Sequence, residues 1–349
     1  MMEIRAHGAA FFAAMNTAEG FKSYFREIFG GFENIYIIKG GPGTGKSRFM
    51  KETAVAAENK GFKVERFYCS SDPTSLDGII IHDISTVLLD GTSPHAYEPK
   101  YPGVKEKLID LGAFWSREML REHKSEIAEL QRRKSKLYNS VYGYLSIVKQ
   151  YCSIIRADLE EAIDTEKLDA AVWRMSNTLG EGSEGKTTIR IRSGITAEGD
   201  ITLNSYADLA PRRYALENYG TVGGIYLKKL YEMTRGSNII TVSFDPYNSE
   251  YPDALYYPEK NVSFYIGSES DFDEKPINMK RFVSDEKLKP YKPRLRAVER
   301  LRRDALKNMY IDYSCIKRLH SELEGIYISA MDFEAKETFC AEFIKNILK

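Results

Sequence analysis

Thr17-Ala18-Glu19-Gly20 returns as Thr196-Ala197-Glu198-Gly199, 179 residues further on. Other matches follow in the same order. Tyr36 aligns with Tyr214 at an offset of 178, Asp72-Pro73 with Asp245-Pro246 at 173, and Asp77-Gly78-Ile79 with Asp253-Ala254-Leu255 at 176. Asp164, which opens a late helix, aligns with Asp332 at 168, and the ends agree as Asn177-Thr178-Leu179 and Asn346-Ile347-Leu348. The offset drifts by a few residues at a time, as small insertions and deletions produce. Such a chain can adopt only a fold whose unit works twice. We read residues 1 to about 183 as the first copy and about 186 to 349 as the second, within the usual tolerance for boundaries.

Each copy follows one plan. A short strand (around Phe11 to Ala14, and Thr188 to Arg192) leads into the T-A-E-G turn, and a helix is expected from Phe21 to Phe29. The apolar run Ile35-Tyr36-Ile37-Ile38 reads as a strand, Arg48 to Lys60 as a helix stopped by Gly61, and Phe62 to Tyr68 as a second strand. Ile79 to Ile81 and Ile84 to Leu89 read as buried strands. Strands alternating with helices predict a parallel α/β sheet. Each copy then turns helical, over about 115–180 and about 284–349. Ser116 is placed to cap the first of these helices. Ile127, Leu130, Leu137, Val141, Tyr144, Val148, Tyr151 and Ile155 recur at three- and four-residue steps, broken by Lys134. That stripe predicts a coiled-coil-like helical hairpin, with the partner helix running from Asp164 to Leu179.

Between the first strand and helix stands Gly40-Gly41-Pro42-Gly43-Thr44-Gly45-Lys46-Ser47, followed by Arg48. This is the phosphate-loop pattern G-x-x-x-x-G-K-S in its strand–loop–helix setting. Glycines let backbone N–H groups turn inward towards phosphates, and the helix directs its positive dipole end at them. Lys46, expected to be exposed in the empty loop, has the reach for β- and γ-phosphate oxygens. The Ser47 hydroxyl is a ligand for the Mg²⁺ that accompanies a triphosphate. Gly180-Glu181-Gly182-Ser183-Glu184-Gly185-Lys186-Thr187 satisfies the same spacing. It follows a helix, precedes a strand and carries two acids where phosphates would sit, so it reads as the linker between copies.

The duplication serves as an internal control. The second copy has Asn218-Tyr219-Gly220-Thr221-Val222-Gly223-Gly224-Ile225 in place of the loop, so Lys46 becomes Gly224 and Ser47 becomes Ile225. This half reads as degenerate. Asp90, at the end of Thr86-Val87-Leu88-Leu89-Asp90, becomes Ile266. An acid that vanishes together with the lysine suits a Mg²⁺ role beside the loop, against the alternative of an acid opening the Gly91-Thr92 turn. His95 becomes Asp271, so it is a candidate for sensing phosphate or handling a proton, or else an ordinary loop histidine. Asp72-Pro73, Thr17 and Glu19 persist in both copies and read as structural. Asp77 persists as Asp253 and is a candidate for positioning water or substrate.

Composition sets broad limits. Lys+Arg and Asp+Glu both number 50 among 349 residues, so net charge gives no indication of a nucleic-acid partner. Arg132-Arg133-Lys134 and Arg300-Leu301-Arg302-Arg303 read as solvated helix faces, with an arginine finger or a binding face as the sharper alternatives. No apolar run approaches a membrane span, and no signal peptide is visible. Cys69, Cys152, Cys315 and Cys340 are scattered without a C-x-x-C, which suits a reduced, cytoplasmic setting.

KGGPGTGKS, CSSDPTSLDG, LLDGTSPH and PKYPG (Lys100 to Gly103 within it) together resemble a family of bacterial P-loop proteins. These are described as ATPases or nucleotide-kinase-like proteins with a tandem duplication, and the resemblance spans nearly the whole chain. It implies ATP binding and hydrolysis. Many relatives carry a loop in the second copy as well, and this chain departs from them at Asn218, Gly224 and Ile225. The expectation is two tandem P-loop NTPase-like parallel-sheet domains, each followed by a long helical hairpin, the second degenerate. ATP and Mg²⁺ would bind at residues 40–48 with Ser47 and Asp90 on the metal, and Asp77 or His95 would orient the attacking water. A small-molecule or nucleotide kinase and a nucleotide-gated interaction protein are the alternatives.

Overall fold

The computed structural model describes residues 9–95, 97–267 and 277–349, so Asp271, the counterpart of His95, lies outside the described residues. It is a mixed α/β structure with two sheets that contain parallel strands. The first half contains β1 (Ala9–Phe12), β2 (Ala14–Thr17), β3 (Gly20–Ser23), α1 (Phe25–Phe29), β4 (Asn34–Lys39) and α2 (Lys46–Glu58). Next come β5 (Val64–Tyr68), β6 (Leu76–Ile81), β7 (Thr86–Asp90) and β8 (Glu106–Asp110), then α3 (Arg117–Glu122), α4 (Lys124–Glu160) and α5 (Thr165–Leu179). The second half contains β9 (Lys186–Ile189), β10 (Ser193–Thr196), β11 (Gly199–Thr202), α6 (Ser205–Asp208), β12 (Arg212–Glu217) and α7 (Val222–Thr234). It continues with β13 (Ile239–Asp245), β14 (Asn248–Tyr257), β15 (Val262–Gly267), α8 (Asp285–Leu288), α9 (Lys292–Ser329) and α10 (Phe333–Ile347).

The first sheet has the order β1-β5-β6-β7-β4-β8 and the second β12-β15-β14-β13-β9. In the first, β6 runs antiparallel to both neighbours and the other pairs are parallel. In the second, β14 is the antiparallel strand. β9, β13, β14, β15 and β12 thus occupy the order and sense of β1, β5, β6, β7 and β4. The all-parallel expectation is corrected at β6 and β14. A short loop links β5 to β6, and a 3₁₀ turn at His82–Ile84 links β6 to β7, with Ser85 in the left-handed region at φ 45°. Tight connections of this kind join only antiparallel strands.

The helix expected from Phe21 is also shorter. Gly20–Ser23 pairs with β2 as a ribbon, leaving only Phe25–Phe29 helical. The T-A-E-G segment is the ribbon's turn. Thr17 Oγ1 donates to Gly20 O at 2.8 Å, and Thr196 Oγ1 donates to Gly199 O at 2.8 Å in the second ribbon. Lys186 and Thr187 of the false phosphate loop begin β9, so a strand follows where a phosphate site needs a helix.

The larger correction concerns the long helices. α4 pairs with α9 of the other half, antiparallel, and not with α5 as a hairpin. Lys134 meets His320, Ser140 donates to Asp312, and Arg294 grips Asp158, so the contacts run in opposite directions along the two helices. Val141 and Leu145 pack with Met309, Tyr313 and Ile316, and Leu130 packs with Leu319 and Leu323. The apolar stripes of α4 and α9 pack on each other, so each satisfies the other.

The terminal helices are exchanged in consequence. α5 lays Leu168, Ala171, Val172 and Leu179 into the core beneath α7 of the second half. α10 lays Cys340, Phe343, Ile344 and Ile347 against Phe49, Met50 and Tyr36 of the first. Backbone bonds clasp the crossings: Ser116 N to Ala330 O and Asp332 N to Phe114 O, echoed by Ser284 N to Ala162 O and Asp164 N to Phe282 O, 2.8–2.9 Å. The sheets also meet edge to edge, where Phe12 N donates to Ile191 O at 2.7 Å, and share a core in which Phe11, Phe12 and Tyr206 are buried.

Residues 1–183 expressed alone should therefore expose the apolar face that α10 covers and aggregate. Co-expression with 184–349 should give a soluble 1:1 complex. A monomeric, cooperatively melting 1–183 fragment in calorimetry would show that the exchange is dispensable.

Candidate functional site

β4 ends at Lys39 and α2 begins at Lys46, with Gly45 as its N-cap at φ 80°. Gly43 is also left-handed, at φ 72°, and a Cβ there would stand 2.8 Å from Cγ1 of Ile328. Glycine is required twice over, by conformation and by the close approach of α9. Lys46 is not exposed as expected. Its side chain is only 12% accessible, because Nζ folds back to donate to Gly40 O at 2.8 Å and Gly41 O at 2.9 Å.

The parallel register of β4 and β7 pairs Ile38 with Asp90, which sets this acid beside the loop. Asp90 Oδ1 accepts from Thr92 N and Thr92 Oγ1, so it does open the turn. Its Oδ2 faces Lys46 Nζ at 3.6 Å. The equivalent register in the second sheet pairs Leu216 with Ile266, as the offset alignment requires. Ser47 Oγ accepts from Leu76 N at 2.9 Å and ties the loop to β6. Because β6 is antiparallel, its first residues lie at the edge where the parallel strands end. Asp77 therefore lies within β6 and on the cavity wall.

Asp77 is buried, and its Oδ2 has no hydrogen-bond partner. His95 Nε2 stands 3.4 Å from that oxygen. Burial, with Asp90 adding repulsion against the attraction of His95, pushes the Asp77 carboxyl up to about 6. His95 is held as an aromatic, stacked on Phe25 at 4.9 Å and edge-on to Phe21 at 5.0 Å, with Nδ1 unpartnered. Cys69 joins this pair, and one ligand atom from each of the three lies within 4.8 Å of the others. Arg48 turns away. It is 64% exposed and pairs with Glu52 at 2.8 Å and Glu337 at 3.3 Å, outside the cavity wall. Arg132 and Arg302 are likewise held by Glu129 and Glu299 on their own helices.

The loop opens into a cavity of about 910 Å³ whose far wall is made by α4 and α9. Lys134, Tyr138 and Tyr142 come from α4, and Tyr313, His320 and Glu324 from α9. Lys134 Nζ and His320 Nδ1 are 2.9 Å apart. Burial, then the Lys134 charge, pushes His320 down to about 4. Burial, then Asp72, raises the Glu324 carboxyl, which also contacts the Gly43 backbone. Sequence reasoning missed the α9 contribution altogether. One signal pointed to it: Lys134 interrupts an apolar stripe at the position that now faces the cavity.

The second loop is filled. A Cβ on Gly220 would meet Leu159 Cδ1 at 2.4 Å, and one on Gly224 would meet Tyr251 Cβ at 3.4 Å. Tyr251 lies between Arg156 and Lys228, 5.2 and 4.8 Å from its ring centroid. Ile266 packs on Gly223.

No protein-family model, curated protein or solved structure matches this chain. Among the described residues no helix is long and apolar enough to cross a membrane.

Asp77 gives a test by pH. Its folded-state value, about 6, lies above the ordinary 3.8, so between those values the folded protein holds a proton that the unfolded chain has lost. Stability in the ligand- and metal-free protein should fall as pH rises through this window and level off above it. Asp77→Asn should flatten that part of the profile and raise the melting temperature at pH 7. An unchanged slope between pH 4 and 6 would place the Asp77 carboxylate in a solvated environment.

Proposed function

We propose that this chain is a Mg²⁺-dependent ATP-binding protein that hydrolyses the terminal phosphate at residues 40–47. Its halves are then a tandem duplication of a P-loop NTPase-like unit, the second degenerate. The observation that carries this proposal is the loop itself: left-handed Gly43 and Gly45 open α2, and Lys46 faces Asp90 across 3.6 Å. Lys46 Nζ donates to two loop carbonyls, Gly40 O and Gly41 O. Those bonds exchange for phosphate oxygens when a nucleotide binds.

The donor set suits a hard cation. Ser47 Oγ accepts a single hydrogen bond, and Asp90 commits Oδ1 to Thr92 while presenting Oδ2 to the loop. Mg²⁺ bound there supplies charge neutralisation at the phosphate oxygens. The loop amides and Lys46 stabilise charge as it develops on the transferring group. Asp77 Oδ2 and His95 Nδ1, both buried and without a hydrogen-bond partner, are the groups that hold and orient water.

A second reading has its own support. The cavity extends well past the loop, between Tyr138, Tyr142 and Tyr313, and is large enough for a second small molecule. Transfer to such an acceptor would make the protein a kinase.

Calorimetric titration with a non-hydrolysable ATP analogue and Mg²⁺ should give one site per chain. Lys46→Ala should weaken it by about 30- to 4000-fold, equivalent to ~2–5 kcal/mol. Two sites of comparable affinity, or binding indifferent to Lys46→Ala, would refute the assignment.

A further inference from the structure

Lys336 lies on α10, the last helix of the second half, and is completely buried. Among the described residues its Nζ has no hydrogen-bond or ion-pair partner. It reaches across to the first half, where Nζ stands 3.3 Å from the place a Cβ on Gly45 would take, with Cε at 3.8 Å and Cδ at 3.9 Å. Gly45 is the N-cap residue of α2 and precedes Lys46. A lysine is thus held against the phosphate-binding turn by a helix more than two hundred residues away in sequence.

The other half supplies the comparison. Asp164 and Asp332 cap α5 and α10, accepting from Lys167 N and Ala335 N, both at 3.0 Å. Four residues on from each cap stand Leu168 and Lys336, both fully buried. Leu168 belongs to the core beneath α7, the helix that opens at the degenerate loop. An aliphatic side chain therefore suits this position, and α5 uses one. Burying a lysine without a hydrogen-bond partner is unfavourable. That cost falls only on the half whose loop has Lys46, Ser47 and Asp90.

We infer that Lys336 is a second cation of the loop at 40–47, delivered from the second half of the chain by the exchanged helix to hold a polyphosphate anion there. This deepens the nucleotide-binding proposal and rests on it. Lys336 does not line the cavity. It acts from the other side of Gly45, through the loop, and is a positioning residue rather than a catalytic one. Its field adds to that of the α2 dipole and Lys46, and an anion in the loop is the missing counter-charge. The exchange of α5 and α10 makes this possible, because the live loop receives its lysine from the half that has lost its own site.

The test is Lys336→Leu, which installs the residue found at the equivalent position, with Lys336→Met as a second variant of similar length. Melting temperature without ligand and calorimetric affinity for Mg²⁺ with adenosine mono-, di- and triphosphate analogues are measured on the full chain. The expected result is equal or higher stability together with about tenfold weaker triphosphate binding, the loss growing with the number of phosphates. A purely structural lysine would lower stability and affinity in parallel and independently of phosphate number, which would overturn the inference. Triphosphate affinity within twofold of the parent in either folded variant would also overturn it, while leaving the loop assignment standing. Absence of nucleotide binding by the parent itself would remove both. Should Lys336→Leu not fold, the same criteria applied to Lys336→Met decide the matter.

Discussion

α4 and α9 lie antiparallel along much of their length, and this pairing determines what each end of each helix can reach. The end of α9 comes down on the loop at 40–47, where Ile328 closes on Gly43. The end of α4 comes down on the loop at 218–221, where Leu159 closes on Gly220. α10 and α5 then have only the opposite half to pack against. Fully burying an aliphatic or aromatic side chain contributes about 1.5–3 kcal/mol, and each exchanged helix places several such residues in the other half's core. The units that pack together are therefore not the units that are contiguous in sequence.

The same scaffold treats its two loops differently. Around the first, glycine backbone, Lys46, Ser47 and Asp90 converge on an open cavity. Around the second, Leu159, Ile266 and Tyr251 pack against Gly220, Gly223 and Gly224, and Gly224 and Ile225 stand where the first loop has Lys46 and Ser47. The strands, ribbons, caps and crossings persist in both. Thr17 and Thr196 close equivalent turns, and Lys149 and Lys317 bind Glu19 and Glu198 in equivalent ways. The second half contributes to the first loop's surroundings, since the α9 wall of the cavity and Lys336 both come from it.

Much of this was legible because it is local. The strand–loop–helix around Gly40 to Ser47 follows from apolar run, glycine spacing and helix start within a short span. Asp90 beside the loop followed from comparing the copies, and the registers Ile38–Asp90 and Leu216–Ile266 agree with that alignment. The direction of β6 was missed because a run of isoleucines does not carry strand sense; the turn at His82–Ile84 does. The partner of α4 was missed for a deeper reason. An apolar stripe says that a helix needs a partner, and two equivalent stripes satisfy each other as well as either satisfies its own neighbour. Lys336 was visible at an offset of 168 from Leu168 as a charge at a core position, but its meaning depends on knowing which half α10 enters.

The central claim is that one loop binds the nucleotide and that the second half's helices close that site. Hydrogen–deuterium exchange with and without Mg²⁺ and a non-hydrolysable ATP analogue reads both parts at once. Protection is expected at 40–47 and 72–77 and, in the same experiment, across 320–336 of α9 and α10, with none at 218–225. Protection at 218–225, or protection of the first loop with no change in α9 and α10, would contradict this account.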